Sequence, residues 1–150
     1  FPPVFKRQGH GHIVNIASMA GLLNPPVMGS YNVTKAGVVA LSETLRYELA
    51  PSDIHTTVVC PGFFQTNLTS SMRSSIPGIQ KNVNKLMQRS SVTADDVAND
   101  IARAVRKGQF WVLPHKTERR LWYIKRASPK AFDFLLGMES KRWMKKMQKN

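Results

Sequence analysis

The chain has 150 residues, of which 42% are hydrophobic and 21% are charged, and it contains nine glycines and nine prolines. This composition predicts one globular domain and excludes a disordered, collagen-like or linker sequence. No apolar run is long enough for a membrane-spanning helix. The single cysteine, Cys60, cannot form an internal disulfide, and no cysteine or histidine pairs stand at metal-ligand spacing. We therefore expect a protein of a reduced, cytoplasmic compartment, without a metal site.

Basic residues are concentrated at one end of the chain. The sequence has 22 Lys and Arg against 9 Asp and Glu, a net charge of +13, and residues 115–150 account for +8 of it. The charge therefore belongs mainly to a carboxyl-terminal extension rather than to the domain before it. The chain begins at Phe1, without a Met or a signal peptide, so we expect the natural protein to extend further upstream.

The first third of the chain predicts a strand, a loop and a long helix. The β-branched run at 12–17 predicts a buried strand, and the Gly and Pro residues at 19–29 predict a loop. A helix is predicted over 30–50, with Ser30 as its N-cap. Gly37 inside it predicts the close approach of a neighbouring element or contact with a ligand. The apolar residues at helical spacing predict one buried stripe: Val38, Leu41, Leu45 and Leu49.

The middle of the chain predicts a second strand, an irregular segment and a second helix. Residues 56–60 form a short apolar run that predicts a buried strand. The segment 63–91 is polar, shows no clear period and predicts a mobile lid. Thr93, followed three residues later by Asp96, predicts a capping box, and Gly108 is expected to end the helix that follows.

A last strand is predicted at 110–113, where Pro114 stops it. Strands that alternate with helices favour a parallel sheet with crossover helices, so the predicted fold class is α/β. Three strands make only part of a doubly wound layer, and the strand at 12–17 would be left with a bare apolar edge. Either a partner covers that edge or further strands precede it in the natural protein.

Three polar side chains in register suit one kind of chemistry. Ser18 ends the first strand, where open α/β sheets bind their ligands, and Tyr31 and Lys35 lie one turn apart on the helix that follows. A phenol normally keeps its proton at neutral pH, but an ammonium group one turn away favours the phenolate. A serine hydroxyl nearby can hold a carbonyl or alkoxide oxygen. The set therefore suits proton transfer coupled to hydride transfer.

At these residues the sequence resembles the short-chain dehydrogenase/reductase family, whose fold is a Rossmann-like doubly wound parallel sheet. The resemblance runs from residue 1 to about residue 114 and is carried by GHIVNIASMAG, SYNVTKAGVVALSETLRYEL and TTVVCPGFFQT. It implies an NAD- or NADP-dependent oxidoreductase that interconverts a small-molecule alcohol and a ketone or aldehyde. It also implies that the helix at 30–50 builds a homo-oligomer.

The resemblance implies roles for particular residues. Ser18 would orient the substrate, Tyr31 would be the catalytic acid or base, and Lys35 would favour the phenolate and hold the nicotinamide ribose. The Pro-Gly turn after the second strand would border the nicotinamide, the threonine that follows it would contact the carboxamide, and the segment 63–91 would bind the substrate. The implied cofactor-binding residues are Tyr31, Lys35, Pro61, Gly62 and Thr66.

Parts of the family pattern have no counterpart in these 150 residues. The glycine-rich dinucleotide fingerprint, the residue that selects the adenosine ribose and the Asn-Ala-Gly segment are all missing. Gly9 and Gly11 precede a strand rather than follow one, so they do not open a phosphate-binding helix. The chain thus resembles the carboxyl-terminal half of the enzyme, without the amino-terminal strands. We expect residues 1–114 to be this half, residues 115–150 to be a basic amphipathic extension, and the 150 residues alone to be inactive.

The basic extension has two interpretations. A face of Trp143, Met144 and Met147 backed by lysines suits a peripheral contact with an anionic membrane surface, whereas a loosely docked extension would cover the substrate pocket or a subunit contact. Gly137 is expected to end a short helix within it. Nucleic-acid binding is disfavoured because no recognition motif accompanies the charge. The alternative function for the whole chain is a non-enzymatic module that acts in protein or membrane-surface interaction.

Overall fold

The computed structural model describes residues 1–72 and 78–147, with side chains described through residue 142 except that of residue 71. Its helices and strands are α1 (Pro2–Gln8), β1 (Gly11–Ile16), α2 (Ala20–Leu23), α3 (Gly29–Leu49), β2 (Ile54–Val59), α4 (Ile79–Gln88), α5 (Ala94–Arg106), β3 (Trp111–Val112), α6 (Lys116–Ala127) and α7 (Pro129–Met147). Short 3-10 turns lie at Ala50–Ser52 and Asn67–Ser71. Among the described residues, no helix is long and apolar enough to cross a bilayer.

A parallel sheet organises the described part of the chain, with three strands in the order β1-β2-β3. β1 pairs with β2 from Gly11 opposite Ile54 to Ile16 opposite Val59, and β2 pairs with β3. Helices lie in both connections between these parallel strands. The predicted α/β class and parallel sheet are therefore confirmed, although the last strand is only two residues long.

Helices cover both faces of the sheet. Neighbouring residues of a strand point to opposite faces, and Val58 packs in a cluster with residues of α2, α3 and α6. Val59 instead packs with Val97 and Ala104 of α5. Both valines are 0% exposed, so β2 is the buried centre of the sheet.

β1 forms one edge of the described sheet, and one of its faces is open. Val14 and Ile16 are 36% and 51% exposed. Their register partners Thr57 and Val59 point to the same side, where α5 packs on Val59 but leaves the two β1 side chains in solvent. The apolar edge predicted from the sequence is therefore present.

The structure corrects two local predictions before α3. The segment 19–29 is not all loop, because one helical turn, α2, forms at Ala20–Leu23. The N-cap of α3 is Met28 rather than Ser30, and its side chain makes no capping hydrogen bond. The first turn of α3 is held instead by Asn32, whose amide nitrogen donates to the Pro25 carbonyl at 2.8 Å.

The buried face of α3 also differs from the predicted stripe. Leu41 is 54% exposed, whereas Val39 and Ser42 are buried. Ser42 is buried because it has polar partners: its hydroxyl accepts a hydrogen bond from the Asn15 amide of β1 at 2.9 Å and donates to the Val38 carbonyl. A prediction based only on apolar spacing therefore misplaces the buried face of a helix that contacts the sheet partly through hydrogen bonds.

The predicted aperiodic segment 63–91 contains helix α4. Three apolar residues of α4 are buried at a spacing of four: Ile79, Val83 and Met87. The polar residues between them obscure this short apolar period in the sequence. Residues 73–77 of the segment lie outside the described residues. The capping box at Thr93 is confirmed, because its hydroxyl accepts from the Asp96 amide and the Asp96 carboxylate accepts from the Thr93 amide. These hydrogen bonds lower the pKa of Asp96 below its ordinary value.

The carboxyl-terminal extension forms two helices, α6 and α7, that pack against each other. The predicted helix end at Gly137 is wrong, because α7 continues through it to Met147. One glycine inside a helix costs only about 1 kcal/mol, which packing easily offsets. The side chains of the predicted membrane face, Trp143, Met144 and Met147, lie outside the described residues.

Cys60 lies directly after β2 and is 0% exposed. Burial raises the pKa of its thiol to about 12, and the nearby Lys35 ammonium offsets only part of that rise. A raised pKa means that the thiol stays protonated until the solution becomes strongly alkaline. The expectation that Cys60 behaves as a small buried apolar residue is confirmed.

Cys60 should therefore resist alkylation by iodoacetamide near pH 8 while the protein is folded, because the thiolate is the reactive form. Mass spectrometry of the peptide that contains Cys60 measures the labelling rate. Protein unfolded in guanidinium chloride is the control and should be labelled rapidly. Similar rates for the folded and unfolded protein would contradict the buried, protonated thiol.

Candidate functional site

Parallel pairing continues past the ends of β1 and β2 and sets the position of Ser18. The amide of Ala17 donates to the Val59 carbonyl at 2.8 Å, and the amide of Met19 donates to the Pro61 carbonyl at 2.9 Å. The Ser18 hydroxyl accepts from the Ala20 amide at 3.1 Å and donates to the Pro61 carbonyl at 3.4 Å. Ser18 thus lies beside Pro61 at the carboxyl ends of both strands, two positions before α2.

Lys35 connects Tyr31 to this end of β1. Its Nζ donates to the Ile16 carbonyl at 3.1 Å and lies 5.8 Å from the centre of the Tyr31 ring. The second distance is within the range of about 6 Å for attraction between a cation and an aromatic ring. The ammonium group therefore lies between the phenol and the last residue of β1, two positions before Ser18.

A close contact joins α2 to the backbone of α3 at Lys35. A Cβ atom on Gly21 would lie only 2.6 Å from the backbone carbonyl carbon of Lys35, so no other residue fits there without a shift. No described element of this chain packs closely on Gly37, because nothing among the described residues lies within 4 Å of a Cβ added there. The expectation of a neighbour or ligand at Gly37 therefore stays a prediction. The glycine that the packing between α2 and α3 requires is Gly21, three positions after Ser18.

His115 holds the Pro61–Gly62 turn. It is 6% exposed at the start of α6. The Gly62 amide donates to its Nδ1 at 3.0 Å, so the proton lies on Nε2, which donates to the Phe63 carbonyl at 3.0 Å. A Cβ on Gly62 would lie 3.1 Å from the His115 ring and 2.9 Å from Glu118 Oε1, so the turn needs glycine to pack this closely.

His115 was not among the residues that sequence reasoning selected. Its partners Gly62 and Phe63 lie more than fifty positions earlier, so no spacing pattern connects them. One signal was available: His115 follows the strand stopped by Pro114, and the ends of parallel strands meet at one edge of a sheet.

Thr66 lies at the wall of a polar cavity. Its hydroxyl accepts from the Leu68 amide at 3.3 Å and caps the turn Asn67–Ser71. The cavity has a volume of about 380 Å³, and amide side chains dominate its wall. Its lining residues are Gln65, Thr66, Asn67, Asn84, Met87 and Gln88. This wall offers hydrogen-bond donors and acceptors without a formal charge.

A second, apolar cavity of about 160 Å³ separates the loop before α3 from helix α7. It is lined by Pro25, Pro26, Met28, Phe63, Leu136, Glu139 and Ser140. The amide of Asn32 donates to the Met28 carbonyl at 2.8 Å, and its side chain binds the Pro25 carbonyl, so two hydrogen bonds hold the loop in place. This wall of the cavity is pre-formed.

The same loop contains a strained residue. Val27 has φ +62°, a left-handed backbone conformation that β-branched residues rarely adopt. Its side chain packs against the cluster of Ile79, Val83 and Met87, which holds the residue there. Strain of this kind costs about 1–3 kcal/mol and occurs at sites where the surroundings fix the backbone.

Replacing His115 with Phe should destabilise the folded protein by about 1–3 kcal/mol, because a partly buried amide and a partly buried carbonyl lose their partner. Denaturant unfolding measures this change, and hydrogen exchange of the Gly62 amide should become faster. The exposed His10 provides the matched control, and His10→Phe should leave both values unchanged. Unchanged Gly62 exchange in His115→Phe would show that the histidine does not hold the turn.

The chain matches known proteins over most of its length. The family described as short chain dehydrogenase matches residues 1–77. The chain is 30% identical over 131 residues to the CLA biosynthesis dehydrogenase/reductase of Lactiplantibacillus plantarum, which covers 76% of this chain and 46% of that protein. It is 28% identical over 130 residues to 11-beta-hydroxysteroid dehydrogenase-like 2 of Arabidopsis thaliana, which covers 87% and 40%.

Solved structures of this class have the same fold. A short chain dehydrogenase/reductase from Burkholderia phymatum, in complex with NAD, superposes with a TM-score of 0.76 at 27% identity, covering 87% of this chain and 52% of that one. A short-chain dehydrogenase from Sphingobium yanoikuyae, in complex with NADPH, superposes with a TM-score of 0.66 at 26% identity, covering 87% and 47%.

The chain spans less than half the length of these curated relatives and about half the length of these structures. The fold predicted from its strands and helices is also the fold of the superposed enzymes. A family match over just over half of its residues shows that this chain belongs to the short-chain dehydrogenase family.

Proposed function

We propose that this chain is the carboxyl-terminal, catalytic half of an NAD- or NADP-dependent oxidoreductase that interconverts an alcohol and a ketone or aldehyde. One observation carries the proposal: the Lys35 ammonium donates to the Ile16 carbonyl and lies 5.8 Å from the Tyr31 ring. A cation held by the backbone beside a phenol attracts the phenolate that forms when the tyrosine gives up its proton.

Tyr31 is the acid and base of this proposal. A nicotinamide cofactor, when bound, donates a hydride to the carbonyl carbon or takes it back from the alcohol carbon. During reduction the Tyr31 hydroxyl gives its proton to the carbonyl oxygen, and the phenolate that remains faces the Lys35 ammonium. During oxidation the phenolate takes the hydroxyl proton of the alcohol, so the charges balance in both directions.

Ser18 orients the carbonyl oxygen in this proposal. Its hydroxyl donates to the Pro61 carbonyl at 3.4 Å, which is at the long limit for a hydrogen bond and is readily exchanged for a substrate oxygen. The amide of Ala20 donates to the same hydroxyl and keeps the oxygen in place while its proton turns. A hydrogen bond to the developing alkoxide would stabilise the transition state.

The residues at and after the carboxyl ends of β1 and β2 fit the nicotinamide end of the cofactor. Thr66 and the amides around the polar cavity suit a carboxamide, which needs both donors and acceptors. Lys35 would hold the ribose hydroxyls, and Pro61 and Gly62 would border the ring, with His115 fixing the turn. No glycine-rich fingerprint for the pyrophosphate occurs in the 150 residues, so the proposal assigns that contact to another part of the protein.

The proposal extends to the assembly and location of the protein. We expect a homo-oligomer built through α3, because Val33, Gly37 and Ala40 lie on one exposed face of that helix, and small residues let a partner helix approach closely. We place residues 1–114 in the catalytic half-domain and residues 115–150 in the extension. The cytoplasm is the proposed compartment, consistent with the single, buried cysteine.

In the complete polypeptide that contains this chain, Tyr31→Phe should lower kcat for carbonyl reduction by at least about 100-fold, because it removes the proton donor. Initial rates with NADH and NADPH and a panel of ketones and aldehydes measure the effect. Tyr47→Phe is the matched control on the same helix, since Tyr47 is 72% exposed, and it should keep the parent rate. Equal rates for Tyr31→Phe and the parent would refute the assignment of Tyr31.

The extension supports a second candidate, a contact with a membrane surface. Phe134 and Met138 are 68% and 41% exposed and lie one turn apart on α7. Lys130 and Lys141 are exposed on the same side of the helix, at helical spacing from these two residues. Exposed apolar side chains between lysines suit the plane of an anionic bilayer, with or without enzymatic activity in the same chain.

Liposome sedimentation tests this second candidate. The complete protein should sediment with phosphatidylserine-containing vesicles severalfold more than with neutral phosphatidylcholine vesicles, and the double change Phe134→Ser with Met138→Ser should remove the difference. Val4→Ser is the control, because Val4 is 48% exposed on α1, away from the extension. Equal sedimentation with the two kinds of vesicle would exclude the membrane contact.

A further inference from the structure

The apolar cavity beside α7 has the dimensions of a small ring. Its volume of about 160 Å³ is close to that of an engineered apolar cavity, about 150 Å³, that binds benzene. Whole ligand pockets are larger, at roughly 300 Å³ or more. The cavity is therefore large enough for one substituent of a substrate rather than for a whole substrate.

The position of the cavity connects it to the proposed reacting groups. The loop that forms one wall joins α2, which begins after Ser18, to α3, which carries Tyr31. Phe63, on another wall, follows Gly62 of the turn at the end of β2. Two walls of the cavity are thus continuous with the segments that hold the serine, the tyrosine and the Pro-Gly turn.

The wall chemistry selects against charge. Pro25, Pro26 and the side chains of Met28, Phe63 and Leu136 give the cavity an apolar surface. Within the described part of the chain, Glu139 is the one charged residue that lines it; its side chain is 60% exposed, and its carboxylate pairs with Arg142 at 2.9 Å. An anionic substituent that entered the cavity would lose hydration, which costs free energy, whereas an uncharged ring would remove apolar surface from water, which is favourable.

We infer that this cavity binds an uncharged aryl or branched-alkyl substituent on the carbonyl carbon of the substrate. The inference rests on the proposed function and narrows its substrate class to apolar ketones and their secondary alcohols, such as phenyl ketones. Leu136 of α7 and Phe63 after the Pro-Gly turn are the residues that set this specificity. The extension at 115–150 therefore completes the substrate site in addition to carrying the basic charge.

Kinetics with three ketones tests the inference in the complete protein. Acetophenone should show a kcat/KM at least about tenfold above that of 4-acetylbenzoate, which has the same ring with a carboxylate. Leu136→Phe fills the cavity and should lower the ratio of kcat/KM for acetophenone to that for acetone by about tenfold. Phe134→Leu is the matched control on the same helix, and it should leave this ratio unchanged because Phe134 is 68% exposed and does not line the cavity.

Equal kcat/KM for acetophenone and 4-acetylbenzoate, or an unchanged ratio in Leu136→Phe, would overturn the inference while leaving the oxidoreductase proposal intact. If the folded protein reduces no ketone, the proposed function fails, and the binding of ethylbenzene then decides the cavity alone. Saturation transfer from the protein to ethylbenzene, lost in Leu136→Phe and kept in Phe134→Leu, supports the apolar cavity. No saturation transfer to ethylbenzene from the parent protein overturns it.

Discussion

The parallel pairing of β1 with β2 is the constraint on which the candidate site depends. The pairing does not stop with the strands: it continues through Ala17 and Met19 and brings Ser18 beside Pro61. A shift of one residue in this register would turn every side chain of β1 to the other face of the sheet. Lys35 is tied to the same strand end by its hydrogen bond to the Ile16 carbonyl. Serine, lysine and Pro-Gly turn are therefore positioned together by one set of backbone hydrogen bonds.

The third strand contributes to the site through a side chain rather than through the sheet. β3 is only two residues long, yet it delivers His115, which binds the amide of Gly62 and the carbonyl of Phe63. The turn is thus held from two directions, by Ser18 at Pro61 and by His115 at the next two residues. Because Phe63 also lines the apolar cavity, the histidine orders one wall of the proposed substrate site as well.

Sequence reasoning succeeded where the signal is local. Short runs of β-branched and other apolar residues located all three strands, and the spacing of Tyr31 and Lys35 on one helix gave a pair whose lysine contacts the end of β1. It failed where the residues that determine a feature are distant in sequence, or where polar neighbours obscure an apolar pattern. The apolar period of α4 was hidden among polar residues, and His115 and the wall formed by α7 depend on contacts across much of the chain. The spacing of residues along the sequence does not indicate which distant residues will meet in the folded chain.

A hydrogen bond joins the outer edge of β1 to the ammonium group that lies beside Tyr31. The amide of Ala17 points toward β2, so the carbonyl of the preceding residue, Ile16, points away from it and accepts its hydrogen bond from Lys35 instead. The exposed side chains of Val14 and Ile16 give this edge of the sheet an apolar surface. A strand that pairs with the edge would lie next to the Lys35 ammonium. A strand that occupies this edge would displace water beside the Lys35 ammonium, so the hydration of that charge is linked to assembly at the sheet margin.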